Sequence, residues 1–460
     1  MVKQLAEWSK QYYGTLLLVI LAISFFSRVW NLSNPEGYIF DEVYHGVTSK
    51  LISRNDPRAY EWWNAPVEPN TAVDWLHPPL AKYTQALGIR FFGENAFGWR
   101  FSSVIFGTLV VFMTAQLAKT VSGDEQTALL AALLAASDGL LLVQSRIAMN
   151  DIHVTFMILL VLTWYAKSHP TLHKTDSVTQ SKQVSTKALV SVGVLAGLAM
   201  ATKWSGLFAL ITVIVFEVLG LGKGIEWKKT GYWLQWILTR VLCLAIIPLT
   251  MYLLSYSHMF MQGKDLQHFF DMHKQIYWYQ TNLKAEHPYQ SRPWQWVTNM
   301  RPAWYHVQYA DGKRGDIYAF GNPMLFWAGA AAVVISSLAL LKQVTKKLQK
   351  KQITASRLVR AIRDSAIQPM GLMIASYFAV WLPWQLSPRI MFFYHYAPAV
   401  PLMAIILSWV LLKHPELRKL SVALVLLILI TFAVWYPHWT GIPVSTEFKD
   451  TVYFATERWK

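Results

Sequence analysis

Long apolar segments recur from one end of this chain to the other, and they restrict its possible folds more than any other feature. Of the 460 residues, 54% are hydrophobic and 15% are charged, whereas about a quarter of the residues of a typical soluble protein are charged. A helix needs about 17–25 mostly apolar residues to cross the hydrocarbon of a bilayer. Because segments of that length recur along the whole sequence, we predict an all-α polytopic membrane protein.

These segments predict about eleven membrane-spanning helices in a single domain that covers residues 1–460. The first span follows Lys3 and Lys10 and lacks the small-residue cleavage site of a signal peptide. We therefore interpret it as an uncleaved anchor with a cytoplasmic N-terminus. The predicted spans are 14–30, 99–118, 127–144, 151–166, 188–202, 206–222, 232–254, 322–341, 368–384, 396–412 and 419–435.

Positively charged residues collect in the short loops that this topology places in the cytoplasm. The 342–366 loop carries eight Lys or Arg residues and one acid, and the 223–231 and 413–419 loops are also basic. This distribution follows the positive-inside rule, which accounts for the net charge of +16 without nucleic-acid binding. Two larger loops, 31–97 and 255–320, then lie on the extracytoplasmic side.

The first large outer loop contains an amphipathic segment. Leu76, Leu80, Tyr83 and Leu87 recur at helical spacing, which predicts a helix lying on the membrane surface with its apolar side toward lipid. The two prolines between Leu76 and Leu80 are placed in its first turn, where a missing backbone N–H costs little.

Two adjacent acids, Asp41 and Glu42, come about a dozen residues after the first predicted span. A carboxylate at a membrane exit is costly unless it meets water, a partner or a substrate. Neighbouring side chains diverge in both helices and strands, so the two acids are expected to have different roles. One carboxylate can accept a proton from an acceptor hydroxyl while the other holds the acceptor. A solvated acidic turn that caps a helix is the structural alternative.

Basic residues recur at the outer ends of the predicted spans. His77 and Lys82 belong to a His-Pro-Pro-Leu-Ala-Lys run in the first outer loop, and Lys203 lies in a break between two short spans. Arg389 and His395 flank an aromatic turn on the same side. Singly, each cation can anchor a helix by reaching toward the headgroups. Together they place positive charge at one membrane level, which a lipid-linked phosphate requires.

Further ionisable residues lie around the third and fourth predicted spans. Asp138 and Arg146 are eight residues apart, which places them near one helical face, two turns apart. They predict either a structural ion pair or a polar site in the membrane. Asp151 opens the fourth span on the outer side, as a helix cap or as part of a site.

The sequence predicts no metal site and no cofactor. The second outer loop holds several histidines, but His268 and His273 miss the helical spacing of four that metal ligands use. The single Cys243 excludes an intrachain disulfide and a multi-cysteine metal site. The Pro- and aromatic-rich stretch at 288–294 is expected to pack over a cleft and shape an acceptor site.

At these residues the chain resembles the protein O-mannosyltransferase family, which belongs to the GT-C class of membrane glycosyltransferases that use polyprenyl-phosphate sugars. The matching motifs occur in family order along most of the chain. They are Asp41-Glu42, His77-Pro78-Pro79-Leu80-Ala81-Lys82, Gly98-Trp99-Arg100, Gln144-Ser145-Arg146 with Asp151, Thr202-Lys203-Trp204 with Gly206, His287-Pro288-Tyr289 with Trp294, and Phe393-Tyr394-His395-Tyr396. The resemblance implies a GT-C fold with a cytoplasmic N-terminus.

The resemblance also implies a reaction: mannose moves from a polyprenyl-phosphate donor to Ser or Thr hydroxyls of exported proteins. Asp41 is then the catalytic base and Glu42 an acceptor-binding residue. The expected ligands of the donor phosphate are Lys203, Arg100, Arg389 and Lys82. The polar side chains expected to support the site are His77, Asp138, Arg146, Asp151 and His395.

One departure from the family concerns the second outer loop. Eukaryotic members carry a large MIR domain there, and the 255–320 loop is too short to hold one. The chain therefore resembles prokaryotic members, which implies a plasma-membrane location and acceptors among secreted or surface proteins. The alternatives are a related GT-C transferase that moves a sugar or aminosugar onto a lipid or glycan, and a transporter. The oligomeric state has no signature in the sequence.

Overall fold

Helices dominate the computed structural model, which describes residues 11–172, 183–220, 230–348, 355–414, 416 and 418–459. In the first half they are α1 (Tyr13–Val29), α2 (Glu42–Ser53), α3 (Leu80–Phe92), α4 (Ala96–Ser122), α5 (Glu125–Ala136), α6 (Gly139–Gln144), α7 (Asp151–Ser168), α8 (Thr186–Thr202) and α9 (Leu207–Gly220). In the second half they are α10 (Thr230–Val241), α11 (Ile247–Ser255), α12 (Ser257–Met261), α13 (Leu266–Asn282), α14 (Pro293–Val297), α15 (Pro323–Leu348), α16 (Ala355–Ala366), α17 (Pro369–Trp381), α18 (Ala399–Lys413), α19 (Arg418–Thr440) and α20 (Thr446–Phe448). The predicted basic loops at 223–231 and 342–366 lie partly outside the described residues.

A helix lies at each of the predicted spans, so the helical membrane fold is confirmed. By length and composition, four described helical segments can each cross a membrane: α4, Trp233–Ser255, α15 and α19. A fifth forms if the pair Leu358–Ala366 and Pro369–Leu386, bent by 96°, counts as one span. The remaining apolar helices are shorter or broken, so the predicted number of eleven is not confirmed.

The outward faces of the apolar helices suit a hydrocarbon environment. Leu18 on α1, Leu338 on α15 and Leu426 on α19 expose 66%, 59% and 54% of their surface. Their inner faces pack into one hydrophobic core. Within it α4 is central, since it packs against α3, α5 and α7. This arrangement fits a bundle whose outer surface is covered by lipid tails.

The predicted amphipathic helix of the first outer loop begins later than expected. Helix α3 starts at Leu80 with Pro79 as its N-cap residue, so the prolines precede the helix. A residue before proline is disfavoured in the helical conformation, which prevents His77 and Pro78 from joining it. The side that carries Ala81 and Lys82 is buried against the protein, so only part of the helix surface is open to lipid.

Two glycines allow α3 to lie directly on the beginning of α4. A methyl group on Gly98 would lie 2.1 Å from the carbonyl oxygen of Gly93, and one on Gly88 would lie 2.4 Å from the carbonyl oxygen of Gly98. Any larger residue would therefore push the backbones apart. This close approach fixes the position of the first turns of α4, which carry Arg100.

The second outer loop contains a β-hairpin, which the all-α prediction missed. Strand β1 (Ala303–Ala310) pairs with the antiparallel strand β2 (Lys313–Ala319). Asp311 and Gly312 form the turn with φ angles of 52° and 71°, and Asp-Gly at positive φ is a preferred two-residue hairpin turn. Arg314 also pairs with Val444, so the segment after α19 packs beside the hairpin.

Candidate active site

Asp41 stands at the N-terminus of α2, directly after a sharp bend in the backbone. Phe40 has a φ of 46°, which is uncommon for a residue with a side chain. Its ring stacks on Tyr305 of β1 at a centroid distance of 4.2 Å. From the turn before α18, Tyr394 donates a long hydrogen bond of 3.4 Å to Asp41 Oδ2. Asp41 therefore lies where the first outer loop, the hairpin and that turn meet.

The surroundings of Asp41 favour a carboxyl group that can both hold and release a proton. Burial raises its pKa to about 6, and the negative charges of Asp151 and Asp74 add to the rise. The charges of His45 and Lys203 oppose it. A pKa near 6 leaves the group mostly ionised at neutral pH while keeping it a stronger base than an exposed aspartate.

Lys203 and Asp151 form a buried ion pair beside Asp41. Lys203 ends α8 in an extended conformation, and its Nζ donates to Asp151 Oδ1 at 2.8 Å. Asp151 is the first residue of α7, so this pair joins the C-terminus of α8 to the N-terminus of α7. Lys203 Nζ also lies 5.6 Å from the ring centroid of Tyr394. Tyr394 therefore contacts both the carboxylate of Asp41 and the ammonium of Lys203.

Glu42 does not have the geometry of an acceptor-binding residue. It is fully buried, and Arg100 donates to both of its oxygens at 2.8 and 2.7 Å. The backbone N–H groups of Ile39 and Ala148 donate to the same oxygens at 3.0 and 2.9 Å. We therefore correct the expectation: Glu42 joins the first outer loop to α4 and to the turn before α7.

Arg100 likewise does not fit the expected role as a phosphate ligand. Besides the bonds to Glu42, its guanidinium donates to the carbonyl oxygens of Leu32, Pro35 and Gly37 at 3.1, 2.7 and 2.9 Å. A guanidinium has five N–H donors, so each one already has an acceptor. The side chain is 1% exposed and fixes the path of the chain leading to Asp41.

Lys82 is held in a buried group around Asp74. Its ammonium lies 3.0 Å from Asp74 Oδ2 and donates to the backbone carbonyls of Asp74 and His77. Two of the three ammonium donors therefore bond to backbone carbonyls, and the carboxylate of Asp74 neutralises the charge of Lys82. His77 Nδ1 lies 2.9 Å from Asp74 Oδ1. His45 Nδ1 lies 2.8 Å from Asp74 Oδ2, off the direction of a hydrogen bond, so that contact is mainly electrostatic.

Burial and the neighbouring charges shift the pKa values of Asp74 and His77. Burial alone would raise the pKa of Asp74, but Lys82, His77 and His45 together hold it well below its usual range. Burial lowers the pKa of His77 to about 4 despite the nearby carboxylate. His45, Asp74 and His77 have atoms within 4.8 Å of one another, as metal ligands do. The ammonium of Lys82 already supplies positive charge to that carboxylate.

Asp138 and Arg146 have structural roles and do not form the predicted pair. Asp138 interrupts the third span, where it caps α6 through Leu141 N–H at 2.8 Å and accepts from Asn322 N–H at 3.0 Å. Arg146 lies after α6 has ended and donates to the carbonyl oxygens of Arg28 and Trp30. The predicted two-turn spacing fails because no continuous helix joins the two residues.

His395 and Arg389, the two predicted residues in and before the turn that precedes α18, differ in burial and in their partners. His395 is buried, stacks on Trp296 with an interplanar angle of 10°, and bonds to the backbone of Phe392. It stabilises the turn that carries Tyr394. Arg389 is half-buried, and no ion pair to it occurs among the described residues. Of the four predicted phosphate ligands, Lys203 and Arg389 therefore keep donors that a substrate could use.

Several residues of this site were not singled out from the sequence. His45 follows Asp41 by four residues on a helix, and Asp74 precedes His77 by three. The first spacing places side chains on one helical face and could have indicated that contact, whereas Asp74 and His77 lie outside any helix and their spacing gives no such signal. Tyr305 and Tyr394 approach Asp41 from distant segments of the chain, and local spacing gives no signal for them.

Two family profiles and several known proteins match this sequence. The sequence matches the profile of the family described as dolichyl-phosphate-mannose-protein mannosyltransferase over residues 18–262. A second profile, the C-terminal four TMM region of protein-O-mannosyltransferase, matches residues 265–453. A polyprenol-phosphate-mannose–protein mannosyltransferase of Mycolicibacterium smegmatis is 26% identical, over 93% of this chain and 89% of that protein.

The fold is similar to that of a solved protein O-mannosyltransferase complex of S. cerevisiae, bound to its sugar donor. The TM-score is 0.75 at 14% identity, over 97% of this chain and 92% of that chain. A shorter match, 35% identical, joins 33% of this chain to 27% of an undecaprenyl phosphate-alpha-4-amino-4-deoxy-L-arabinose arabinosyl transferase of Pseudomonas paraeruginosa. Since the two profiles together cover nearly the whole sequence, this chain belongs to the protein O-mannosyltransferase family.

Proposed function

We propose that this protein transfers mannose from a polyprenyl-phosphate-mannose lipid to Ser and Thr hydroxyls of exported proteins. Membership of the family and the name of the mycobacterial relative support the donor and the protein acceptor. The observation that supports the proposal most strongly is the environment of Asp41. Its carboxyl group has a pKa of about 6 and accepts a hydrogen bond from Tyr394, whose ring also contacts the ammonium of Lys203. A base and a cation at one place match the two charges that develop in this reaction.

In the proposed mechanism Asp41 accepts the proton of the acceptor hydroxyl as its oxygen attacks the anomeric carbon of mannose. General base catalysis of this kind contributes typically about 10²–10⁴-fold. The bond between that carbon and the lipid phosphate breaks, and the phosphate leaves as an anion. Lys203 and Arg389 stabilise the developing negative charge. A single base with no enzyme nucleophile leads to inversion at the anomeric carbon.

We place the reaction on the outer side of the plasma membrane, with the N-terminus in the cytoplasm. The positive-inside rule supports this orientation, because Lys342, Lys346 and Lys347 cluster at the end of α15 while Asp41 lies beside the hairpin that precedes it. Donor lipids can enter sideways between helices at this level. Protein acceptors arrive from the water above the outer loops.

A transfer assay with two kinds of acceptor tests the proposed function. Membranes that contain the protein receive polyprenyl-phosphate [³H]mannose together with a Ser/Thr-rich peptide and a lipid extract. Label in the peptide, released by β-elimination, is the expected result. Label that enters only the lipid fraction would instead favour the lipid-directed alternative, which the match to the aminoarabinose transferase motivates.

A further inference from the structure

An open groove of about 420 Å³ lies on the outer side of the protein, between the second outer loop and the turn before α18. One wall consists of residues near α14 and the other of residues 387–391. Ser291 N–H donates to the carbonyl oxygen of Met391 at 2.8 Å, and Trp381 Nε1 donates to Pro293 O at 2.8 Å. These bonds hold the two walls in a fixed relation.

Three arginines line this groove, and no acidic residue does: Arg292, Arg301 and Arg389. Within the part of the chain that the structure describes, no carboxylate lies within ion-pair distance of any of them. Other arginines of the outer loops do have such partners: Arg54 pairs with Glu94, and Arg314 with Asp316 at 2.8 Å. Uncompensated positive charge in a concave site attracts anions from solution.

Both walls of the groove continue along the chain to residues that contact Phe40, the neighbour of Asp41. Met391 is followed by Phe392, whose ring lies 6.0 Å from that of Phe40, the neighbour of Asp41. On the other wall, Arg301 lies four residues before Tyr305 in the sequence, and the ring of Tyr305 stacks on Phe40. At about 3.3 Å per extended residue, four residues span roughly 13 Å. Because this is the greatest separation that the chain allows between Arg301 and Tyr305, an extended peptide segment of three or four residues is long enough to reach from one to the other.

We propose that Arg292 and Arg301 bind an acidic side chain of the acceptor protein, three or four residues from the Ser or Thr that receives mannose. This inference rests on the proposed function and names a preference of the same site. Both arginines are exposed to water above the membrane, where a soluble acceptor arrives. Arg389, half-buried at the inner end, lies closer to Tyr394 and stays assigned to the donor phosphate.

Peptides that differ at one position test this preference directly. Each contains one Thr and carries Glu or Gln three or four residues before or after it. KM is measured with the full-length protein in membranes, at saturating donor. At least one Glu peptide should have a KM about fivefold below that of its Gln partner, the size of effect that an exposed ion pair produces at low salt. The difference should vanish at about 0.5 M salt, where such charges are screened.

An Arg292→Gln/Arg301→Gln double variant should remove the difference while transfer to the Gln peptides continues. The matched control is Lys313→Gln, which removes an exposed cation at the tip of the hairpin and should leave the Glu preference intact. Equal KM values for all Glu and Gln pairs in the unaltered protein would overturn the inference. So would a double variant in which the KM for donor rises and the Glu preference persists, since the groove would then serve the lipid phosphate. Failure of every peptide to accept mannose would overturn the proposed function itself.

Discussion

Glu42 accepts four hydrogen bonds, two from Arg100 and two from backbone N–H groups, whereas Asp41 receives one long bond from Tyr394 among the described residues. The two neighbouring acids therefore have different roles. Glu42 is committed to the fold, because its lone pairs are occupied by fixed donors. Asp41 keeps acceptor capacity for a substrate hydroxyl, and burial makes its carboxylate a better base.

The Glu42–Arg100 pair predicts a large loss of stability when one partner is removed. Glu42→Gln leaves the guanidinium of Arg100 buried without a counter-charge, and breaking such a buried pair costs about 3–5 kcal/mol. We expect a clearly lower apparent Tm of the detergent-purified protein. The control is Asp271→Asn, which breaks the exposed pair with Lys274 and should leave Tm unchanged. An unchanged Tm in Glu42→Gln would show that the pair does not hold the loop.

The pKa of Asp41 predicts a pH dependence of transfer. Below about pH 6 the carboxyl is protonated and cannot accept a proton, so kcat/KM should fall about tenfold per pH unit. The charge of His45 lowers the pKa of Asp41, so His45→Gln should move the acid limb to higher pH. The profile of kcat/KM between pH 4.5 and 8 measures both. A limb that stays in place in His45→Gln would rule out this coupling.

At the level of secondary structure, the apolar pattern was sufficient to locate a helix at each predicted span, but it did not indicate α2 or α13 in the two outer loops. A helix occurs at each predicted span because hydrocarbon requires backbone groups to bond internally. The pattern did not locate the break at Asp138, where the local N-cap of α6 interrupts an apolar run. It also missed the hairpin, although Asp311-Gly312 is a hairpin signal between alternating residues.

The sequence indicated which charged residues are special, but not which of them pair. Arg100 and Glu42 are 58 positions apart in the sequence, and Lys203 and Asp151 are 52 apart. Residues of one helical turn are never so far apart. Only the packing of α2 against α4, and of α7 against α8, brings these partners together. The family resemblance assigned Arg100 and Lys82 to a phosphate, whereas the structure places both in buried ion pairs with Glu42 and Asp74.

The crossing of α3 and α4 predicts sensitivity to a small change in one element. Gly98→Val adds a branched side chain where even a methyl group would lie 2.1 Å from the carbonyl oxygen of Gly93. We expect α4 to shift, the Arg100 bonds to weaken, and both Tm and transfer to fall. Gly14→Val is the control, because nothing lies within 4 Å of a methyl group at Gly14. Equal behaviour of the two variants would contradict the packing argument.

At the scale of the whole molecule, the topology separates two surfaces of opposite character. Asp41, the hairpin and the chain after α19 gather on one side. The basic end of α15 lies on the other side in the proposed orientation. In that orientation, a lipid donor and a protein acceptor meet at one pocket outside the cytoplasm.

Cysteine labelling in intact cells tests which of these surfaces faces outward. The single native cysteine, Cys243, is buried, so a new exposed cysteine dominates labelling. In intact cells, a membrane-impermeant maleimide should label Lys313→Cys on the hairpin and spare Lys346→Cys until the cells are opened. The reverse pattern would place Asp41 in the cytoplasm and contradict the proposed orientation.

The turnover of Asp41→Asn tests the central claim, that Asp41 is the base, most directly. The substitution keeps the shape of the side chain and removes its ability to take a proton. We predict that kcat falls about 10²–10⁴-fold, while Tm and the stabilisation by added donor lipid remain those of the unaltered protein. Asp271→Asn, at an exposed site, should keep full turnover. A kcat within a few-fold of the unaltered value in Asp41→Asn would contradict the account.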